Sequence, residues 1–233
     1  MKPQNAIQII LVLVTFGLLT SCSSKNDWDT FGLKGKVRTF SAQLYDAESK
    51  FGVWKPGNKQ SFGHTVISFD RYGNYTSLDY MDENGQLTTK EIPKRENGQL
   101  VEANYYDGDG ALISRSKVTH LSDEETKFVG YDATGEKSSA GTFYFRDGRM
   151  VKQLLQIFSD GEISQELTNE MTYNEEGNLI SQKQTDQNGE IVFHLRFEYL
   201  DPDDQQNWTK KLQYNAEKEG EPENITIFEY EYY

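Results

Sequence analysis

One cysteine, five prolines and three histidines are all that the 233 residues contain of these types. With a single thiol, Cys22, the chain forms no internal disulfide, so burial and hydrogen bonding must hold it together. So few prolines exclude a proline-rich stalk. His64, His120 and His194 lie on different segments, and none stands in HxxxH, HxH or Cys–His spacing, which excludes the usual zinc patterns. Basic charge is also scarce: 24 Lys and Arg face 37 Asp and Glu, a formal charge of −13. Residues 1–21 hold one Lys and no acid, so the remainder carries −14. A surface this acidic, with no basic stripe, repels phosphate backbones and argues against nucleic-acid binding. No GxSxG elbow, phosphate-cradling loop or dinucleotide fingerprint occurs. After residue 19 no stretch carries a 3.6-residue apolar period.

What is present is aromatic. Mean hydropathy is −0.75, yet 13% of residues are Phe, Trp or Tyr, including 14 Tyr and 13 Phe. Disordered chains lack such rings, and pleated sheets favour them.

The first residues read MKPQNAIQIILVLVTFGLLTSC. Lys2 gives a short positive region, and Ile7 to Leu19 an apolar run interrupted by Gln8, Thr15 and Gly17. That run is shorter than the ~20 residues needed to cross a bilayer, which suggests a cleaved signal over 1–21. Leu19-Thr20-Ser21-Cys22 resembles the lipobox of bacterial lipoproteins. The resemblance implies that Cys22 becomes the first mature residue, with diacylglycerol on its thiol. Several acyl chains, each contributing about 0.8 kcal/mol per buried methylene, give stable anchoring. Ser23 after the cysteine, in place of Asp, points to the outer membrane. Asp27 and Asp29 are a displaced version of the acidic residues that follow the cysteine in surface-exported lipoproteins of Bacteroidota, so the side of the membrane stays open. Residues 22–33 are expected to be the lipidated Cys and a tether, and 34–233 a single domain.

That domain repeats itself. FDRYGNY, YMDENGQL, KRENGQL, YYDGDGAL, YDATGEK, YFRDGRM, IFSDGEI, TYNEEGNL and TDQNGEI align on Gly73, Gly85, Gly98, Gly110, Gly135, Gly148, Gly161, Gly177 and Gly189. The spacings are 12, 13, 12, 25, 13, 13, 16 and 12, and a glycine-free turn at Ser122–Glu125 halves the longest. Such a period fits one strand and one tight turn, in which Asn-Gly or Asp-Gly supplies the positive φ. Alternation supports strands: Ile191, Phe193, Leu195, Phe197 and Tyr199 share one face, while Val192, His194, Arg196 and Glu198 share the other. The fold class is all-β, an antiparallel meander of about 14 strands with aromatics inside, curled into a barrel-like or half-open shell. Residues 46–63, 201–207 and 215–223 are expected as longer loops. A membrane-spanning barrel would need an apolar lipid-facing band, and these strands instead carry Lys, Glu, Gln or Asp on one face.

YDATGEK, TYNEEGNLI, FDRYGNY and NWTKKLQY resemble the tyrosine–aspartate (RHS-like) repeats of bacterial surface proteins. GLKGKVRTF followed by these repeats resembles a group of small lipoproteins of Bacteroidota. The resemblance covers residues 32–233 and implies a β-repeat architecture. The encapsulation practised by large RHS proteins does not carry over, because this chain is too short to enclose a second domain.

Candidate chemistry is thin. Asp107 and Asp109, or Asp82 and Glu83, suggest calcium, but no further acids follow at the EF-hand positions, and hard cations need six to eight converging oxygens. Glu175, Glu176 and Asp186 crowd two loops, at positions where Arg, Asp, Ala or Gln stand in other repeats. They are expected to be turn residues free to vary around their glycines. Trp28, Trp54 and Trp208 are candidates for sugar or peptide contact, with Trp54 foremost because it lies in the longest irregular stretch. No catalytic residue, metal site or cofactor is expected. The expected role is a non-enzymatic, lipid-anchored envelope protein that binds an unknown protein or glycan. Carbohydrate recognition is the alternative, and a cryptic hydrolase a more distant one.

Overall fold

The computed structural model describes residues 26–233. Cys22 and the expected signal segment lie outside the described residues. A four-residue helix, α1 (Asp27–Thr30), precedes fourteen strands. These are β1 (Val37–Lys50), β2 (Val53–Phe69), β3 (Tyr75–Met81), β4 (Leu87–Glu96), β5 (Gln99–Asp107), β6 (Leu112–His120) and β7 (Glu125–Asp132). The second half holds β8 (Lys137–Arg146), β9 (Arg149–Ser159), β10 (Glu162–Tyr173), β11 (Leu179–Asp186), β12 (Ile191–Pro202), β13 (Trp208–Asn215) and β14 (Asn224–Tyr232). Each strand pairs antiparallel with its sequence neighbours, and β1 pairs with β14, so the meander closes into a barrel.

Two kinds of turn make this possible. Asn97-Gly98, Asp147-Gly148 and Asp160-Gly161 hold positive φ at both central residues, the twist that matches two-residue hairpins. The longer loops are built on an Asp or Asn three residues before the glycine. In the loop after β7, Asp132 Oδ1 accepts from Thr134 N and Glu136 N, both at 2.9 Å. Asp70, Asp82, Asp107 and Asp186 bond the corresponding two amides in their own loops. The same arrangement organises 203–207, where Gln206, at φ +67°, takes the glycine's place.

Register gives every strand an inner and an outer face. Phe40, Ile67, Leu78, Glu91 and Tyr105 lie side by side across β1–β5, and all are buried. Phe128, Phe143, Leu155 and Leu167 continue the packed interior on β7–β10, with the Phe128 and Phe143 rings stacked 4.9 Å apart. Outer positions include Lys90, Glu102, Lys117, Lys127, Lys152, Glu170, Lys183 and Arg196. Apolar inside and charged outside is the inverse of a membrane-spanning barrel.

The interior is not evenly filled. On β1, β2 and β10 the buried residues sit at the end where α1 docks, and the opposite ends are exposed. Trp28 plugs that end, its indole donating to Val37 O at 2.8 Å, while Asp27 pairs with Arg95. The segment expected as a tether is therefore packed from residue 26 onward. Along β11–β14, inner residues such as Gln182, Phe193, Leu195, Lys211, Gln213 and Asn224 stay half-buried.

Residues 46–63 depart from the expected loop. They form a hairpin that prolongs β1 and β2 past the rim and turns at Phe51-Gly52. Its Ala47 and Trp54 pack on Leu212, Tyr214 and Ile225, an apolar cluster on the outer face of β13 and β14. That burial stabilises a strand pair which Pro56 and two glycines had disguised.

Glycines separate into turn and packing roles. A Cβ on Gly141 would meet Leu154 O at 2.1 Å and the Phe128 ring at 2.6 Å, whereas Gly110, at φ +86°, faces open space. Gly141→Ala should therefore cost about 3 kcal/mol or more in chemical denaturation, or abolish folding. Gly110→Asn, which tolerates the left-handed region, should cost no more than about 1 kcal/mol.

Candidate functional site: a recess at the β13–β14 seam

β13 and β14 pair only from Lys210↔Ile227 to Gln213↔Asn224. Beyond Ile227, β14 runs on to Tyr232 with its backbone ladder on β1 alone, so the wall parts on one side. The parting leaves a recess of about 370 Å³ lined by Asp203, Asp204, Gln205, Thr209, Phe228, Glu229, Tyr230 and Tyr232.

One wall is a ladder of rings. Phe40 lies 5.5 Å from Phe228 and 5.3 Å from Tyr230, and Tyr230 lies 6.3 Å from Tyr232, the last two contacts stacked at 25° and 26°. The ladder exists because β14 reads Phe-Glu-Tyr-Glu-Tyr, so alternation turns every ring inward and both acids outward. The opposite wall is the 203–207 loop. Asp203 Oδ1 accepts from Gln205 N at 2.9 Å and Asn207 N at 2.8 Å, and Asp203 also accepts from the Tyr232 hydroxyl. Burial, together with this carboxylate, pushes the Tyr232 phenol up to about 12. Buried Asn207 ties the loop to the amino-terminal segment, accepting from Lys34 N and donating to Lys34 O, both at 2.8 Å. The Tyr230 hydroxyl donates to Trp208 O at 2.7 Å across the seam. The rings and the loop are thus fixed before any ligand arrives.

Lys211 lies next to the recess, on the inner face between Tyr199 and Thr226. Its Nζ stands 4.8 Å from the Phe197 ring centroid and 5.7 Å from that of Phe228, a recess residue. The barrel encloses it, yet part of its surface meets solvent. Desolvation lowers the ammonium to about 8.

A second polar group sits within the packed wall. Glu91 is fully buried, and its Oε1 accepts from the Tyr75 hydroxyl at 2.8 Å. The hydroxyls of Tyr80 and Tyr105 face the same buried pocket, and among the described residues the Tyr80 hydroxyl has no hydrogen-bond partner. Burial raises the carboxyl to about 7, against the lowering effect of the hydrogen bond from Tyr75. Further round the wall, Asn169 donates to Gln153 at 2.9 Å and accepts from Gln184 at 3.0 Å, forming a buried amide ladder.

The residues singled out in the sequence are scattered. Trp54 is half-buried on the outer cluster and does not line the recess; Trp28 is the end plug. Trp208 donates its indole N–H to Asn178 Oδ1 at 3.1 Å, with its ring tilted against Tyr199, at the edge of the seam. His120 bonds Leu100 O and Thr126, His194 pairs with Glu217 at 2.6 Å, and His64 lies on β2. Glu176 accepts from the amides of Asn174 and Asn178, while Glu175 is exposed. Asp186 corrects the expectation that these acids vary freely, because its carboxylate caps two loop amides as its counterparts do. Asp82 and Asp107 are turned onto their own loops, and no group of three potential metal ligands occurs among the described residues. The recess was missed, although the alternating aromatics of FEYEYY and the Asp pair in DPDDQQN are its sequence signal.

No protein-family model matches the chain, and none of the curated proteins is similar to it. Among solved structures, a porin-like protein from Bacteroides uniformis is similar at a TM-score of 0.43 and 7% identity, over 85% of this chain and 99% of that one. A likeness of that degree carries no argument about family or activity.

Glu91 makes stability depend on pH. Its pKa, about 7 when folded, exceeds the ordinary 4.5, so the folded chain holds a proton that the unfolded chain releases. Its contribution is complete below about 4.5 and is lost as pH rises to about 7. Melting temperature should fall across that window in the wild type and fall less in Glu91→Gln, as measured by circular dichroism.

Proposed function

We propose that the protein is a non-enzymatic binding module of the cell envelope, held by a lipid on Cys22, and that its ligand is a glycan seated in the recess. The rings of Phe228, Tyr230 and Tyr232, backed by buried Phe40 and set beside fixed oxygen and amide groups, carry this reading. Pyranose rings offer apolar C–H faces that lie on aromatic rings, and hydroxyls that bond carboxylates and amides. The recess falls in the range of small-ligand sites, about 300–1,000 Å³. Asp203 favours binding over catalysis, since its oxygens already serve two backbone amides and a phenol. Acid–base work requires a carboxylate free to exchange its proton with substrate.

The anchor follows from the lipobox-like Leu19-Thr20-Ser21-Cys22, which precedes the docked segment by a few residues. The charged outer face supports a barrel that stands in water beside the membrane. An outer-membrane location is part of the proposal.

On an array of bacterial and host polysaccharides, the purified chain should retain at least one glycan. Phe228→Ala should weaken that binding about tenfold or more while the far-ultraviolet dichroism stays unchanged; retention of none, or equal retention by the variant, refutes the glycan assignment. The anchor is tested separately with a palmitate analogue fed to expressing bacteria. Label should enter the wild type and be lost in Cys22→Ala, and equal label in both refutes lipidation.

A further inference from the structure

We infer that Lys211 is an anion-binding position inside the barrel, and that the ligand of the recess carries a carboxylate or a phosphate. The inference rests on the recess reading and specifies the chemistry of what the recess takes.

The argument begins with the strand. β13 reads Trp-Thr-Lys-Lys-Leu-Gln-Tyr-Asn, and alternation separates its two lysines. Lys210 points outward and pairs with Asp201 at 2.8 Å. Lys211 points inward, flanked by Tyr199 on β12 and Thr226 on β14. Among the described residues no carboxylate stands within ion-pair distance of its Nζ. A second interior cation, Arg95, has its carboxylate in Asp27.

An ammonium withdrawn from water with no counter-ion is costly, and a packed core would be more stable with an apolar residue there. The faces of Phe197 and Phe228 compensate in part. A ring face carries no net charge and leaves the site one negative charge short. Attraction between opposite charges is stronger in such surroundings than in water, so a small anion that reaches Nζ is held firmly. Access exists, because Lys211 and its inner neighbours Tyr199, Gln213 and Phe228 are only partly buried, and Phe228 belongs to both Lys211's surroundings and the recess. Thr226 and Gln213, both inner residues beside Lys211, supply uncharged hydrogen-bond groups for the same ligand. Because the protein as a whole is strongly acidic, a free anion is repelled from most of its surface, and this interior cation selects an anionic group attached to a larger neutral ligand.

Four probes separate the possibilities: glucose, glucuronate, glucose 6-phosphate and inorganic phosphate, each titrated calorimetrically into the purified chain at fixed ionic strength. Glucuronate or glucose 6-phosphate should bind at least tenfold more tightly than glucose, and Lys211→Met should erase that difference while keeping the barrel's dichroism. The preference between the two acids identifies the anion. In parallel, lysines reductively methylated with carbon-13 should show one resonance that is missing in Lys211→Met and that moves when the anion binds. Should glucose bind as tightly as both acids, the anion assignment fails and the glycan reading survives. Should phosphate alone move the Lys211 resonance while no sugar binds, the anion position stands and the glycan reading fails. Absence of any binding, or acids bound equally by Lys211→Met, overturns the inference.

Discussion

The pairing of β1 with β14, from Val37↔Tyr232 to Asp46↔Asn224, is the constraint on which the rest of the barrel depends. A fourteen-strand meander that failed to close would present two rows of unpaired amides and carbonyls, templates for edge-to-edge association. Closure removes both edges and divides space into an inside and an outside. Only then does each alternating strand gain a face that must be filled and a face that must stay wet. Tyr233 adds to it: its N–H donates to Lys36 O just before β1, and its hydroxyl donates to Phe69 O at the end of β2.

Filling so wide a ring exceeds what the inward side chains supply evenly. From β3 to β10 large rings and aliphatics meet, with the amide ladder and the Glu91 group set among them as polar inclusions. From β11 to β14 rings and polar side chains alternate on the inner face, and most of them, Gln182, Phe193, Leu195, Lys211, Gln213 and Tyr230 among them, are only half-buried. The recess, Lys211 and the β13–β14 parting all belong to that loosely filled sector. Binding sites need such incompleteness, whereas stability needs the packed wall opposite. Both are inner faces of the same sheet.

Much of the architecture was legible in the residues. Glycine spacing located the turns, and period-two alternation located the strands, because both effects are local. The Asx pattern is legible as well: Asp70, Asp82, Asp107, Asp132, Asn174 and Asp186 each stand three residues before a glycine. Glycine spacing by itself does not reveal it, because the capping Asx and the glycine do separate jobs in the same loop. The hairpin at 46–63 was illegible for a different reason. Pro56, Gly57 and Gly63 break its alternation, and the apolar cluster that pays for its order lies more than 150 residues away, on β13 and β14.

What the sequence determined by itself was most of the strands, their turns, which residues share a face, and a lone cysteine behind an apolar run. These depend on neighbours within a dozen positions. Only the tertiary structure decided that the sheet closes, that β13 and β14 part after four residue pairs, and that Lys211 stands between two phenylalanine rings with no carboxylate among the described residues in ion-pair reach. Those outcomes depend on how fourteen staggered strands share one circumference, a condition on the whole ring that no single repeat contains.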